Sequence, residues 1–240
     1  MQLYQEQRNW TTAQRWFFRF IFSWVILFLC SFSFPHQLVP DPGKWTAPFF
    51  EKAVRWFGNR VLLLEPGYTS ELISDSTGLY IHALLTIFYA ILIAAAWSLL
   101  DRQRRSYNQL SYFFYAFIRY YLSLQLFTYG FSKLFKWQFY LPEPNTLFTK
   151  AGDTYKDLLY WTSMGSSRGY SIFLGITEIV AAAMLLWRRT LAAGALLSTG
   201  ICVNIVAVNF AFDISVKLYS MLLLLLSLLL LLPYLWKILL

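Results

Sequence analysis

The sequence predicts an all-α fold, a polytopic transmembrane bundle of about six helices, and three observations carry that expectation. The chain is 58% hydrophobic, 20% aromatic and only 13% charged. Several unbroken apolar runs reach the length needed to cross a hydrocarbon core of about 30 Å. The alternating polarity of a membrane barrel is missing, as in MLLLLLSLLLLL near the end of the chain, so helices are the spanning element that can satisfy its own backbone.

The first span, about 16–34, is long and flanked by Arg15 and Arg19. It lacks a small-residue cleavage site before Pro35 and reads as a retained anchor rather than a cleaved signal. In WTAPFFEKAVRWFGNRVLL, Phe49, Phe50, Val54, Phe57 and Val61 recur at helical spacing while Glu51, Lys52, Arg55 and Arg60 take the other face. That pattern predicts a helix lying flat in the outer interface. A second span covers about 79–100 and a third about 111–132. The segment from Phe135 to Arg168 opens with LPEPN, whose prolines end the third helix, and offers Leu147, Phe148, Leu158, Leu159 and Trp161 for burial, so the outer loops either roof the bundle or merely shield its helix ends. Spans at about 169–187, 190–210 and 215–236 complete the series.

Cations are densest in the short turns DRQRR and WRR, which places both termini in the cytoplasm, in a bacterial inner membrane. Trp16, Trp97, Trp187 and Trp236 then fall near the inner interface and Trp45, Trp56, Trp137 and Trp161 near the outer one. Residues 1–110 thus form two helices with a long extracytoplasmic loop, and residues 111–240 a four-helix membrane unit with an extracytoplasmic loop at 135–168.

Charge inside these spans marks a candidate site, because an ionisable group near the bilayer centre costs roughly 2.5–3.5 kcal/mol on insertion scales. Arg119 and Lys133 share one face of the third span, about 21 Å apart. Tyr115, Ser123, Leu126 and Gly130 continue that face, and Ser171, Gly175, Glu178 and Ala182 form a small-residue stripe on the fourth span. Arg119 is the natural partner of Glu178 on this reading, either as a structural pair or in a proton relay. A second set gathers at the outer end, where Asp213 and Lys217 fit an i, i+4 helix-start ion pair. In the functional alternative Lys133, Lys217 and Asn209 ring a pocket mouth, Asp213 fixes the cations, and Glu178 beneath accepts or donates a proton. Asn204 extends the polar track. The catalytic candidates are Glu178 and Lys133, and the ligand-binding candidates Arg119, Tyr129, Asn204, Asn209, Asp213 and Lys217.

The net charge of +8 is explained by topology signals that also meet anionic lipid, so nucleic acid is a poor partner. Cys30 and Cys202 form no CxxC pair and read as structural thiols. His36 and His82 both fall at the outer interface, yet no further haem signature accompanies them and haem is disfavoured. Metal clusters, phosphate-cradling glycine loops and a Ser/His/Asp set are not apparent.

Arg119, YGFSKLF around Lys133, and then GITEIVAAAMLLWRRTLAAGALL resemble the DoxX-like integral membrane proteins over residues 111–236. In that family a helix carrying an Arg and a downstream G-x-x-K-L precedes a helix carrying a Glu and two more helices; here Arg119, Gly130, Lys133, Leu134 and Glu178 stand at those places. Residues 1–110 add two spans to that minimal unit. The resemblance implies a quinone- or lipid-interacting subunit of a membrane redox system, with Glu178 handling the proton, rather than a complete enzyme. A non-catalytic scaffold that docks an extracytoplasmic protein is the alternative. A small-solute transporter stands third, since broken helices and internal repeats are not visible.

Overall fold

Apolar runs in a bilayer must close their backbone hydrogen bonds internally, and the chain folds accordingly into helices. The computed structural model describes residues 10–31, 43–65, 67–72 and 74–238. In chain order the helices are α1 (Thr12–Ser31), α2 (Gly43–Arg60), α3 (Thr77–Leu100), α4 (Asn108–Leu134), α5 (Pro144–Phe148), α6 (Lys156–Ser166), α7 (Arg168–Leu186), α8 (Leu191–Ala211) and α9 (Lys217–Ile238). The expected all-α membrane bundle is what forms. Among the described residues five helices, α1, α3, α7, α8 and the Lys217–Tyr234 stretch of α9, are long and apolar enough to cross a membrane. The sixth expected span is present as α4, 27 residues long, but Arg119, Lys133 and five tyrosines keep it less apolar than its neighbours.

Local chemistry sets the helix ends. Ser76 caps α3 by accepting a hydrogen bond from the Leu79 amide at 3.1 Å, and Ser167 caps α7 through Tyr170 at 3.3 Å. Helix α4 stops before the prolines: Lys136 turns left-handed at φ 62°, and the Trp137 amide donates to the Ser132 carbonyl at 2.8 Å.

The chain divides into two compact units, residues 1–114 and 115–240. In the first, α1, α2 and α3 pack around Val25, Phe28, Val54, Ala90 and Ala94, all nearly or fully buried. The face expected to bind α2 to the interface is split. Val54 is fully buried and Phe50 meets the His82 ring edge-on at 5.0 Å, whereas Phe49 is 72% exposed and joins Trp45 and Trp56 on the open side. Arg19, read from the sequence as flanking the first span, is buried and makes four hydrogen bonds. It donates to the Tyr107 hydroxyl at 2.7 and 2.9 Å, to Ser98 at 2.6 Å and to the Asp101 carbonyl at 3.0 Å. The Tyr107 hydroxyl in turn donates to the Asp101 carboxylate at 2.8 Å. His82 is wholly buried, with Nε2 and the Ser31 hydroxyl 2.6 Å apart. His36, Pro35 and the side chain of Trp236 lie outside the described residues.

In the second unit α7, α8 and α9 follow one another as packed antiparallel neighbours, and the buried leucines 222, 223, 226, 230 and 231 of α9 supply much of the core. The long 135–168 connection forms α5, a short 3-10 turn at Ala151–Asp153, and α6. Leu147 and Phe148, expected to be buried, are 62% and 89% exposed, because the five-residue α5 presents no covered face. Phe139 takes the buried place instead.

Candidate functional site

Two glycines build the site. A Cβ on Gly130 would come within 2.8 Å of the Gly175 carbonyl, and a Cβ on Gly175 within 2.6 Å of the Gly130 carbonyl, so α4 and α7 touch backbone to backbone. The Ser123 hydroxyl donates to the Ala182 carbonyl at 2.8 Å, which fixes an antiparallel register in which residue numbers fall on α7 as they rise on α4. The third-span face read from the sequence, at Ser123 and Gly130, therefore meets the small-residue stripe of the fourth span, at Ala182 and Gly175.

Three residues beyond each glycine stand Lys133 and Glu178. The Lys133 Nζ donates to both carboxylate oxygens, at 2.7 and 2.8 Å, and the side chains are 7% and 5% exposed. The ammonium also lies 5.5 Å from the centre of the Tyr129 ring and 5.7 Å from that of Phe139.

Glu178 is therefore the partner of Lys133 and not of Arg119. Helical side chains lean toward their own N-terminus, so Lys133 leans back along α4 toward Gly130 and Glu178 along α7 toward Gly175, and the two converge, while Arg119, leaning the same way along α4 from a point beyond Glu178, moves away from it. Arg119 instead lies over the neighbouring Tyr120 ring at 4.5 Å and donates to its hydroxyl at 2.7 Å.

Lys133 and Glu178 form part of the wall of a chamber of about 680 Å³, within the usual size of a ligand site. Helix α8 lines it from Ala193 to Asn209, about 24 Å of helix. One end is apolar, made by Ala193, Leu196, Leu197, Ile201 and Leu223. The other collects Tyr129, Gln138, Asn209, Tyr219 and Ser220 beside the ion pair, under a roof of Phe139, Tyr160 and Trp161. Burial, aided by Tyr170 and Glu178, pushes the Tyr160 hydroxyl above its ordinary range.

Of the predicted residues, the fold brings Lys133, Glu178, Tyr129, Asn204 and Asn209 to this chamber and leaves Arg119, Asp213 and Lys217 off its lining. Asp213 turns left-handed at φ 54° just after α8, with its carboxylate 79% exposed and 2.7 Å from the Lys217 ammonium. The pocket-mouth arrangement is thereby corrected to the helix-start pair: this turn points the carboxylate to the outside. Lys217 holds the Asp213 carboxyl below its ordinary value.

A 116-residue stretch is 39% identical to the uncharacterized protein YwoB of Bacillus subtilis (strain 168), covering 48% of this chain and 73% of the relative. The chain belongs to the YwoB family. No family model matches it, and no solved structure does. In this YwoB-family chain, Gln138, Phe139, Tyr160 and Tyr219 line the chamber although sequence reasoning missed them. Only the irregular turn after α4 brings Gln138 and Phe139 back over Lys133, and no periodic pattern announces such a turn. Lys136, in the same turn, donates to the Gly165 carbonyl at 2.8 Å and ties this stretch to α6; desolvation and then Arg168 lower its pKa. Among the described residues no cluster of three His, Cys, Asp or Glu could hold a metal ion.

Proposed function

We propose that the chain is a membrane-embedded binding protein whose α4–α9 chamber holds a quinone-like or other amphipathic lipid. The observation that supports this reading is the chamber itself: an apolar end inside a helical membrane bundle, and a polar end containing the buried Lys133–Glu178 pair. The apolar body would lie along α8 and the head near Tyr129, Asn209 and Glu178, with the roof of Phe139, Tyr160 and Trp161 keeping water from it. A quinone, when bound, would supply redox chemistry; Lys133 and Glu178 are the residues placed to exchange a proton beside it. The DoxX-like resemblance supports a subunit of a membrane redox system rather than a complete enzyme. We place it in a bacterial inner membrane with both termini cytoplasmic, on the cation density of its short turns.

The test is extraction of the purified protein followed by mass spectrometry. A quinone or other lipid present at one per chain is the expected result. A clean protein that also gives no spectral or thermal response to added quinone or lipid removes the reading.

A second reading has one observation in its favour. Both oxygens of Glu178 are already held by one ammonium, as in a pair that only fastens α4 to α7 within a scaffold for an extracytoplasmic partner. Under that reading Glu178→Gln lowers stability and leaves lipid occupancy unchanged.

A further inference from the structure

The charges in the chamber wall cancel. Among the described lining residues Lys133 and Glu178 carry the only formal charges, and each is the other's partner at 2.7 Å. An anionic head would have to displace Glu178 from Lys133, and a cationic head Lys133 from Glu178, and either exchange strands a buried charge. The wall's unmet demand is of another kind. Asn209 is 4% exposed, and its Nδ2 has no hydrogen-bond partner. The Gln138 Oε1 in the same wall is likewise buried without one. Asn204, an exposed residue, also lines the chamber about 1.4 turns along α8, about 7.5 Å from Asn209 in rise. Buried amide groups left without partners are costly, so Asn209 and Gln138 call for an occupant that hydrogen-bonds without carrying charge.

We propose that the chamber selects an uncharged lipid whose head bears a hydroxyl, which can accept from Asn209 Nδ2 and donate to Gln138 Oε1, with Asn204 farther along the same wall and the hydrocarbon tail running toward Leu196 and Leu197. This rests on the lipid-binding reading above and narrows it. A quinol and a diacylglycerol share this chemistry, and a quinone shares only the half that accepts from Asn209; free fatty acids and phospholipids do not.

The test is native mass spectrometry of the full chain in a nonionic detergent, titrated separately with a short-tailed quinone, dioleoylglycerol, oleate and dioleoylphosphatidylglycerol. At least one neutral probe is expected to bind one per chain at about tenfold lower concentration than either anion, and the neutral arm that binds identifies the source. Asn209→Leu is expected to weaken that binding by about tenfold or more. Asn204→Leu, at an exposed position that leaves packing intact, should weaken it less, and Asp213→Asn, outside the chamber, not at all. Anions binding as well as neutral probes, or unchanged affinity in both the Asn209→Leu and Asn204→Leu proteins, overturns the head-group assignment while leaving a lipid chamber standing. Binding of none of the four overturns both.

Discussion

The ammonium of Lys133 is shared between two carboxylate oxygens and two aromatic faces, and little of it meets solvent. Removing one partner of such a pair leaves the other charge buried alone. Lys133→Met should therefore cost about 3–5 kcal/mol of stability, and the double change with Glu178→Leu should recover most of it. Thermal unfolding of the three variants in one detergent checks this, and additive losses would refute the pairing. Asp213 shows the opposite limit. Its exposed carboxyl is held below the ordinary 3.8 by Lys217, so the pair contributes stability above that value and loses it as pH falls through the lower folded-state value. The small melting difference between wild type and Asp213→Asn at pH 7 is expected to vanish in that acid window. Lys133, Glu178 and Asn209 were legible from sequence because polar groups in apolar runs are rare and must face protein. The wrong partner, Arg119, followed from pairing the two faces without regard to which way helical side chains lean.

Between elements, the contact of Gly130 with Gly175 sets how close α4 and α7 lie, and so whether a lysine can span the gap. Gly175→Ala would place a methyl group 2.6 Å from a carbonyl oxygen and is expected to cost about 1–3 kcal/mol, while Gly200→Ala, with open space around it, should cost nothing comparable. A disulfide between cysteines placed at Ser123 and Ala182 would report the spacing directly; its yield should fall in the Gly175→Ala protein. Helix positions were readable from hydropathy and prolines, and the polar face of the third span and the small-residue stripe of the fourth from their spacing. The division of α2 into a buried side with Phe50 and Val54 and an open side with Trp45, Phe49 and Trp56 was not, because aromatic residues occupy both sides and periodicity alone gives no preference between them. The roof over the chamber was hidden for another reason: Phe139 and Gln138 sit in a turn with no repeat to read.

For the molecule as a whole, the orientation read from cation density gives a direct expectation. In a protein lacking Cys30 and Cys202, a cysteine at Gly152 should react with an impermeant maleimide added to intact cells, and one at Gln103 only after lysis. The reverse pattern would invert the proposed topology. The Arg19 cluster has a further consequence for how this chain is made. Its partners Ser98, Asp101 and Tyr107 lie 79–88 residues downstream. A ribosome delivers the guanidinium to the bilayer long before those groups exist, and an Arg without partners is expelled toward water. The first hydrophobic segment can therefore complete its packing only after the chain has emerged past Tyr107, so its final seating is a late event in biogenesis despite its early place in the chain.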